Sequence, residues 1–527
     1  MENLIDQLRQ GKLQPGAGLT FGTHRPNPVE RIVFDASTLA QNYQMGTKAS
    51  GVPYRYIIKT YGCQMNEHDT ETMAGLLEAM GYEPALTDEE ADFILFNTCA
   101  VRENAEDKVF GEVGRLRPLK YRNPELLIGL CGCMAQEEGV QKLVLDKFPW
   151  VDVVFGTHNI HRLPELVFRA RESQETVLEV WDAAAQTVEA VPRSRKESTR
   201  AWINIQYGCN KFCTYCIVPY TRGRERSRLP EDVMEEITAL VADGVREITL
   251  LGQNVNDYGV DLATVTFATL LRQVNEIEGL KRIRFTTSNP WNFTDELIDA
   301  IAECDKVVPH IHLPVQSGNN HVLKRMNRTH TREFYLELVS KIRSKIPGVS
   351  LTTDIIVGFP GETEEEFLDT VSLLEEVRYD NAYTFIYSPR EHTPAATFAD
   401  DVTAETKKQR LFRLNEVQYA ISLAQNQKLM GQELEVLVEG QSKTNAHVLA
   451  GRSDTNKLVL FEGPVSLTGR VVRVRIKEPK TWTLYGDIQE VLDEGLTNGE
   501  FAADKLENSE FAADKPTGAT FTKEALA

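Results

Sequence analysis

Cys209, Cys213 and Cys216 fall in the run GCNKFCTYC, with C-x3-C-x2-C spacing. Thiolates this close, on a loop that folds back on itself, can wrap one small inorganic centre. A structural zinc site asks for four ligands, usually as paired C-x2-C or Cys/His sets. No fourth Cys or His lies within reach in sequence. Three thiolates on a four-iron cluster leave one iron open, which a cluster that acts on a bound molecule requires. The plain alternative is three core thiols. Against it, only 8 Cys occur in 527 residues, yet three share this short run.

Other cysteines are scattered. Cys63 in TYGCQMN, Cys99 in NTCAVRE, and Cys131 with Cys133 in GLCGCMAQ each follow a β-like run. Ligand groups gather beyond the carboxyl ends of parallel strands in a doubly wound sheet, so separated cysteines can converge there. Free cysteine is also a common small core residue, and spacing alone leaves that choice open. The chain turns at Gly132, so Cys131 and Cys133 are not expected to share one iron site. Cys304, at helical spacing with Leu297 and Ile301, reads as a core residue.

Polar segments follow other β-like runs. LLGQNVNDYG offers Gly252 and Gln253, HLPVQSG offers Gln316, and DIIVGFPGETEEEF offers Gly358 and Glu362. Glycine there allows close backbone approach to a ligand. Each alone reads as a turn; together, on regularly spaced units, they favour ligand contacts. In TRGRERSR, Arg222, Arg224, Arg226 and Arg228 suit an anionic substrate, because arginine binds phosphate through two donors. In RVVRVRIK, the alternate residues Arg473, Arg475 and Lys477 share one strand face. That stripe suits RNA, although a solvated strand face would look similar.

The elements that must hold these residues form an α/β multi-domain chain. Residues 54–172 repeat a strand–helix rhythm that predicts a doubly wound α/β domain. Residues 195–428 contain six strand candidates, WINIQY, EITLL, RIRFTT, VVPHIHL, SLTTDII and AYTFIY, separated by amphipathic helices. Six βα units predict a partial (β/α)6 barrel whose site lies at the carboxyl ends of its strands. Residues 429–491 switch to period two and predict a small all-β barrel of antiparallel strands. Residues 1–53 read as a leader without a core pattern. Residues 492–527, which contain two copies of EFAADK, read as an acidic disordered tail.

The net charge of −19 argues mildly against nucleic acid. Part of it is local: residues 489–527 carry nine acids against three lysines. No basic-then-apolar secretory signal and no run of membrane-spanning length is evident. Iron-binding thiols need a reducing compartment, so the expectation is a cytoplasmic protein without membrane attachment.

The Cys209–Cys216 motif, with Tyr215 before its last cysteine, resembles the radical S-adenosylmethionine (SAM) superfamily. The order of scattered cysteines, barrel and small β-barrel resembles the radical SAM methylthiotransferases over most of residues 54–491, and the last module resembles the RNA-binding TRAM domain. The resemblance implies two 4Fe-4S clusters. One is held by Cys209, Cys213 and Cys216 and binds SAM; the auxiliary one is held by Cys63, Cys99 and Cys133. With that cofactor, the strand-end residues Gly252, Gln253, Gln316, Gly358 and Glu362 are expected to contact SAM. It also implies tRNA as substrate, an electron donor such as flavodoxin or ferredoxin, and a sulfur donor. TYGCQMNEHDTE, TRGRERSR, GQNVNDYG, HLPVQSGNN and LTTDIIVGFPGETEEEF point to members that convert N6-isopentenyladenosine at tRNA position 37 to its 2-methylthio form. Action on threonylcarbamoyladenosine or on a ribosomal-protein aspartate would leave the same domain order. A non-catalytic RNA-binding iron–sulfur protein is the reading from another class.

Overall fold

The computed structural model describes residues 30–492, apart from short gaps at 37–38, 40–45, 49, 101–102, 174, 185, 196–198, 444 and 446. The acidic tail and most of the leader lie outside the described residues. The chain divides into two compact units: residues 1–292 with 325–328 and 388–399, and residues 293–324, 329–387 and 400–527.

The first unit opens with a six-stranded parallel sheet: β1 (Arg55–Thr60), β2 (Glu83–Pro84), β3 (Phe93–Thr98), β4 (Leu127–Gly132), β5 (Val153–Phe155) and β6 (Val177–Glu179). Its spatial order is β2-β1-β3-β4-β5-β6, and every neighbouring pair is parallel. Strand residues alternate between two cores, as the period of two demands. Phe93, Leu95 and Leu127 face helices α1 (Gln64–Ala79) and α4 (Leu163–Ser173). Ile94, Phe96, Ile128 and Leu130 face α2 (Glu103–Arg115) and α3 (Glu138–Lys147). Both faces are covered, so the sheet is doubly wound. Its order reverses at β1; β2, a two-residue strand that ends in proline, has no alternating run to mark it in the sequence.

Further along this unit, β7 (Arg200–Asn204), β8 (Glu247–Leu251) and β9 (Arg282–Phe285) form a parallel sheet in chain order. Helices α5 (Pro230–Ala242) and α6 (Phe267–Asn275) make the crossovers. Strands that succeed one another in chain order are those of a barrel rather than of a doubly wound sheet. A short antiparallel ribbon pairs Gln206–Tyr207 with Arg226–Ser227. It closes the neck of the loop that carries Cys209, Cys213 and Cys216.

The second unit holds the other three barrel strands: β10 (His310–His312), β11 (Ser350–Val357) and β12 (Asn381–Ile386), again parallel and in chain order. Between and beside them run α7 (Asp295–Glu303), α8 (Arg332–Lys345), α9 (Glu364–Val377) and α10 (Ala404–Gln427). All six strand candidates of the partial barrel are therefore strands. Thr294, Thr331, Thr363 and Thr403 cap their helices by accepting backbone N–H groups.

The same unit ends in a closed five-stranded barrel of β13 (Glu433–Gln441), β14 (Val448–Ser453), β15 (Leu458–Glu462), β16 (Val471–Pro479) and β17 (Thr483–Val491). Val436, Val438, Leu449, Val459, Phe461, Val472 and Val474 fill it. The antiparallel expectation holds at every pair but β15–β17, which is parallel. The reason is parity: direction cannot alternate around a closed ring of five strands. Among the described residues, no helix is long and apolar enough to cross a membrane.

Candidate cofactor sites

The scattered cysteines follow the three strands that flank the order reversal or adjoin it. Cys63 follows β1 and is the N-cap of α1. Cys99 follows β3 and is buried. Cys133 follows β4, buried beside Ala100 and Ile217. Doubly wound sheets bind ligands at this reversal, beyond the carboxyl ends of the strands.

Gly132 decides which thiol of the Cys131/Cys133 pair reaches that edge. Its φ of +94° is left-handed, and a Cβ there would stand 2.4 Å from the Thr98 carbonyl oxygen. Cys131 still obeys the strand alternation and points into the α1/α4 core, with its Sγ 3.6 Å from Met73 Sδ. Past the turn, Cys133 donates its backbone N–H to Thr98 at 2.9 Å. Burial pushes the Cys133 thiol up, Arg222 pulls it down, and Cys63 pushes it up again.

The loop triad is built by close backbone turns. Gly208, at φ +72°, has no room for a Cβ, which would lie 2.1 Å from the Arg224 carbonyl oxygen. Its N–H donates to Gln253 Oε1 at 2.9 Å. Cys209 N–H donates to the Gly223 carbonyl at 3.1 Å, and Cys216 N–H to the Cys213 carbonyl at 3.0 Å. Thr214 donates its N–H to Met326 and its hydroxyl to Arg325. Asn327 Nδ2 donates to the Phe212 carbonyl at 2.7 Å. Burial raises the thiols of Cys209 and Cys216, the latter to about 12, and each of the two is raised further by its cysteine neighbours. As ligands they would be thiolates balanced by iron.

An arginine stands beside each set; the sequence offered Arg222 only as a phosphate contact and Arg328 not at all. Arg328 stacks on Trp291 at 4.6 Å and lies 3.8 Å from Cys213 Sγ. Arg222 Nε donates to Cys133 Sγ at 3.3 Å, while its Nη2 donates to Asp69 at 2.8 Å. Nothing in RMNRTH or TRGRERSR distinguishes a buried arginine from a surface one.

Among the described residues, no three His, Cys, Asp or Glu side chains converge on a single-ion site. An iron–sulfur cluster does not ask for that, because each thiolate takes a different iron. Two observations fit the donor sets to such clusters and a polar cofactor. Among the described residues both sets are made of thiols, and polar groups near the triad are left over. Gln206, fully buried, has no partner at either end of its amide, and Ser288 Oγ has none. Gly252 makes room beside it, since a Cβ there would sit 3.3 Å from Gln206 Oε1. Gln253 also contacts Met65 Sδ.

In the second unit, Gln316 is buried with φ +72°, a backbone strain that a non-glycine residue carries at functional sites. Gly358, at φ +69°, has no room for a Cβ against the Lys407 side chain. Glu362 is already engaged: it accepts the Gly358 N–H at 2.7 Å and Arg410 Nη1 at 2.9 Å. It fastens the turn to α10.

The basic segments need correction. Arg222 and Arg228 were expected to meet phosphate, but both are buried and paired internally. Arg228 lies 2.6 Å from Glu189 and 2.7 Å from Glu236. Arg224 is exposed over the Phe212 ring, and Arg226 is half-buried near Tyr207. On β16, the outward stripe is matched by acids on both flanking strands. Arg473 meets Glu435 and Glu490, Arg475 meets Glu433 at 2.6 Å, and Lys477 meets Asp487. The stripe is a mixed-charge ladder, because strand register sets Glu433, Glu435, Asp487 and Glu490 of β13 and β17 opposite it.

Comparison with known proteins agrees with this layout. Residues 203–374 match the Radical SAM superfamily, residues 55–156 the uncharacterized protein family UPF0004, and residues 427–489 the TRAM domain. The tRNA-2-methylthio-N(6)-dimethylallyladenosine synthase of Geobacillus kaustophilus is 58% identical over 436 residues, covering 82% of each chain. That of Anoxybacillus flavithermus is 57% identical over 438 residues, covering 83% of each. A solved radical SAM methyltransferase, TsrM from Kitasatospora setae, aligns with a TM-score of 0.47 at 15% identity, over 65% of this chain and 77% of that one.

Proposed function

The chain belongs to the family of the tRNA-2-methylthio-N(6)-dimethylallyladenosine synthases, and we propose that it methylthiolates N6-isopentenyladenosine at position 37 of tRNA. It is a radical SAM tRNA methylthiotransferase, using SAM and a 4Fe-4S cluster. The second cluster, the base and the position are our proposal. The supporting observation is that one unit carries two thiol sets, each with a buried arginine at one of its sulfurs.

Cys209, Cys213 and Cys216 hold the SAM-binding cluster in this reading, on a loop fixed by Gly208, Gln253 and residues 325–327. Cys63, Cys99 and Cys133 hold the auxiliary cluster at the reversal of the sheet. When bound, these groups supply a one-electron route to hydrogen abstraction and a sulfur to donate. Such a route suits adenine C2, which is unactivated towards nucleophiles. Gly252, Gln253, Gln316 and Gly358 stay assigned to SAM; Glu362 acts through the Gly358 turn. The β-barrel and exposed Arg224 serve tRNA. The chemistry also needs an external electron, assigned to a flavodoxin or ferredoxin, and a sulfur donor. The compartment in this reading is the cytoplasm, where iron-binding thiols stay reduced.

The test is mass spectrometry of tRNA nucleosides from a deletion strain. Unmethylthiolated isopentenyladenosine should accumulate and disappear on complementation. Accumulation of threonylcarbamoyladenosine lacking its methylthio group, or unchanged nucleosides, would overturn the reading.

A further inference from the structure

Arg222 lies one helical turn, Val218–Thr221, beyond the segment that holds Cys216. Its backbone N–H donates to the Val218 carbonyl at 2.8 Å, so it belongs to the triad's own loop. Its side chain reaches the other thiol set. Nε donates to Cys133 Sγ at 3.3 Å and Nη2 to Asp69 Oδ2 at 2.8 Å. Asp69 sits on α1, the helix capped by Cys63. Beside Asp69 is His68, whose Nδ1 is 3.0 Å from Asn204 Nδ2 at the end of β7. The five other side chains, those of Cys63, His68, Asp69, Cys133 and Asn204, are carried by strands β4 and β7 or by α1 and their ends. The arginine is therefore pinned at both ends of its guanidinium.

Arginine stays protonated in proteins, and the buried Arg222 guanidinium is paired with the Asp69 carboxylate at 2.8 Å. A permanent cation that hydrogen-bonds a ligand sulfur withdraws charge from the centre which that sulfur binds. This makes the extra electron of the reduced centre easier to hold, one of the levers by which proteins set cluster potentials.

We propose that Arg222 is a positioning residue for the auxiliary cluster, holding the Cys133 sulfur and raising the cluster's reduction potential from the loop that carries the SAM-binding cysteines. This rests on the two-cluster reading above. It also ties the two halves of the chemistry together through one residue: the segment that orders around the SAM-binding cluster brings the hydrogen bond that tunes the auxiliary one.

The experiment uses the full chain with Cys209, Cys213 and Cys216 replaced by Ala, so that only the auxiliary cluster is titrated. Arg222→Lys keeps a cation for Asp69 but replaces the rigid two-ended fork with a point charge. The midpoint potential, followed by EPR, should move to more negative values. Iron loss to a chelator should quicken by about 10–100-fold, the usual effect of losing a partner of a metal ligand. A second variant, Arg222→Met with Asp69→Leu, removes the buried pair together, which avoids leaving a lone buried charge. It should show the same negative shift. An unchanged potential and unchanged iron retention in either variant would overturn the proposal. A parent protein that binds no cluster would instead overturn the two-cluster reading.

Discussion

Arg328 Nη1 stands 3.8 Å from Cys213 Sγ and 3.2 Å from Asn289 Oδ1, with its guanidinium over the Trp291 ring. Burial opposes the charge, while Tyr215, Cys213 and Cys216 raise it. The cation thus stands at one sulfur of the Cys209, Cys213 and Cys216 set. Arg328→Met should lower 5′-deoxyadenosine formation and iron retention by about 10–100-fold. Arg328→Lys should recover part of both. Anaerobic SAM-cleavage assays with iron counting check this, and a fully active Met variant would refute it.

Cys131 and Cys133 differ in surroundings, not in distance along the chain. Cys131→Ala should keep both clusters and most activity, with a modest loss of stability from its place in the core. Cys133→Ala should lose the auxiliary cluster yet still cleave SAM reductively, without methylthio transfer. Mössbauer spectroscopy on the two variants decides between them; the reverse pattern would make Cys131 the ligand.

The ladder on β16 changes what its removal should do. Exposed ion pairs contribute only about 0–1 kcal/mol, so tRNA phosphates can compete for these cations. Replacing Arg473, Arg475 and Lys477 with Ala should weaken tRNA binding and flatten its salt dependence. The slope should change by less than three full counterions, because the cations start paired with Glu433, Glu435, Asp487 and Glu490. An unchanged slope in filter-binding titrations would return this face to a solvent role.

His158 supplies a pH dependence. Burial, then the charges of Arg226 and Arg222, lower its pKa from 6.5 to about 3. The folded state therefore keeps it neutral while the unfolded chain takes up a proton. Its contribution is fully present above pH 6.5 and declines as pH falls towards 3. The loss approaches about 1.4 kcal/mol per pH unit for one proton. His158→Gln should lose less thermal stability between pH 6.5 and 5.5 than the parent. Parallel melting curves for the two would count against this.

What the sequence made legible followed local rules. The six barrel strands, the capped helices and the period-two module were readable because alternation and helical spacing are imposed residue by residue. The split between Cys131 and Cys133 was readable because Gly132 marks the turn. Other features depend on partners far along the chain. Glu83–Pro84 pairs only because β1 offers an edge. Arg222 and Arg328 are buried only because Asp69, Asn289 and Trp291 meet them. A run of arginines looks the same in sequence whether its members face solvent or sulfur, and the acids opposite Arg473 and Arg475 become neighbours only through strand register.

The terminal barrel is closed by the last of its strands in the chain. β17 lies between β15 and β16 and pairs with both, so the ring stays open until the last strand has been synthesised. A nascent chain halted before Thr483 would display two unpaired strand edges, and such edges invite pairing between molecules. Premature termination in this segment should therefore yield protein that self-associates, a more severe outcome than weakened tRNA binding.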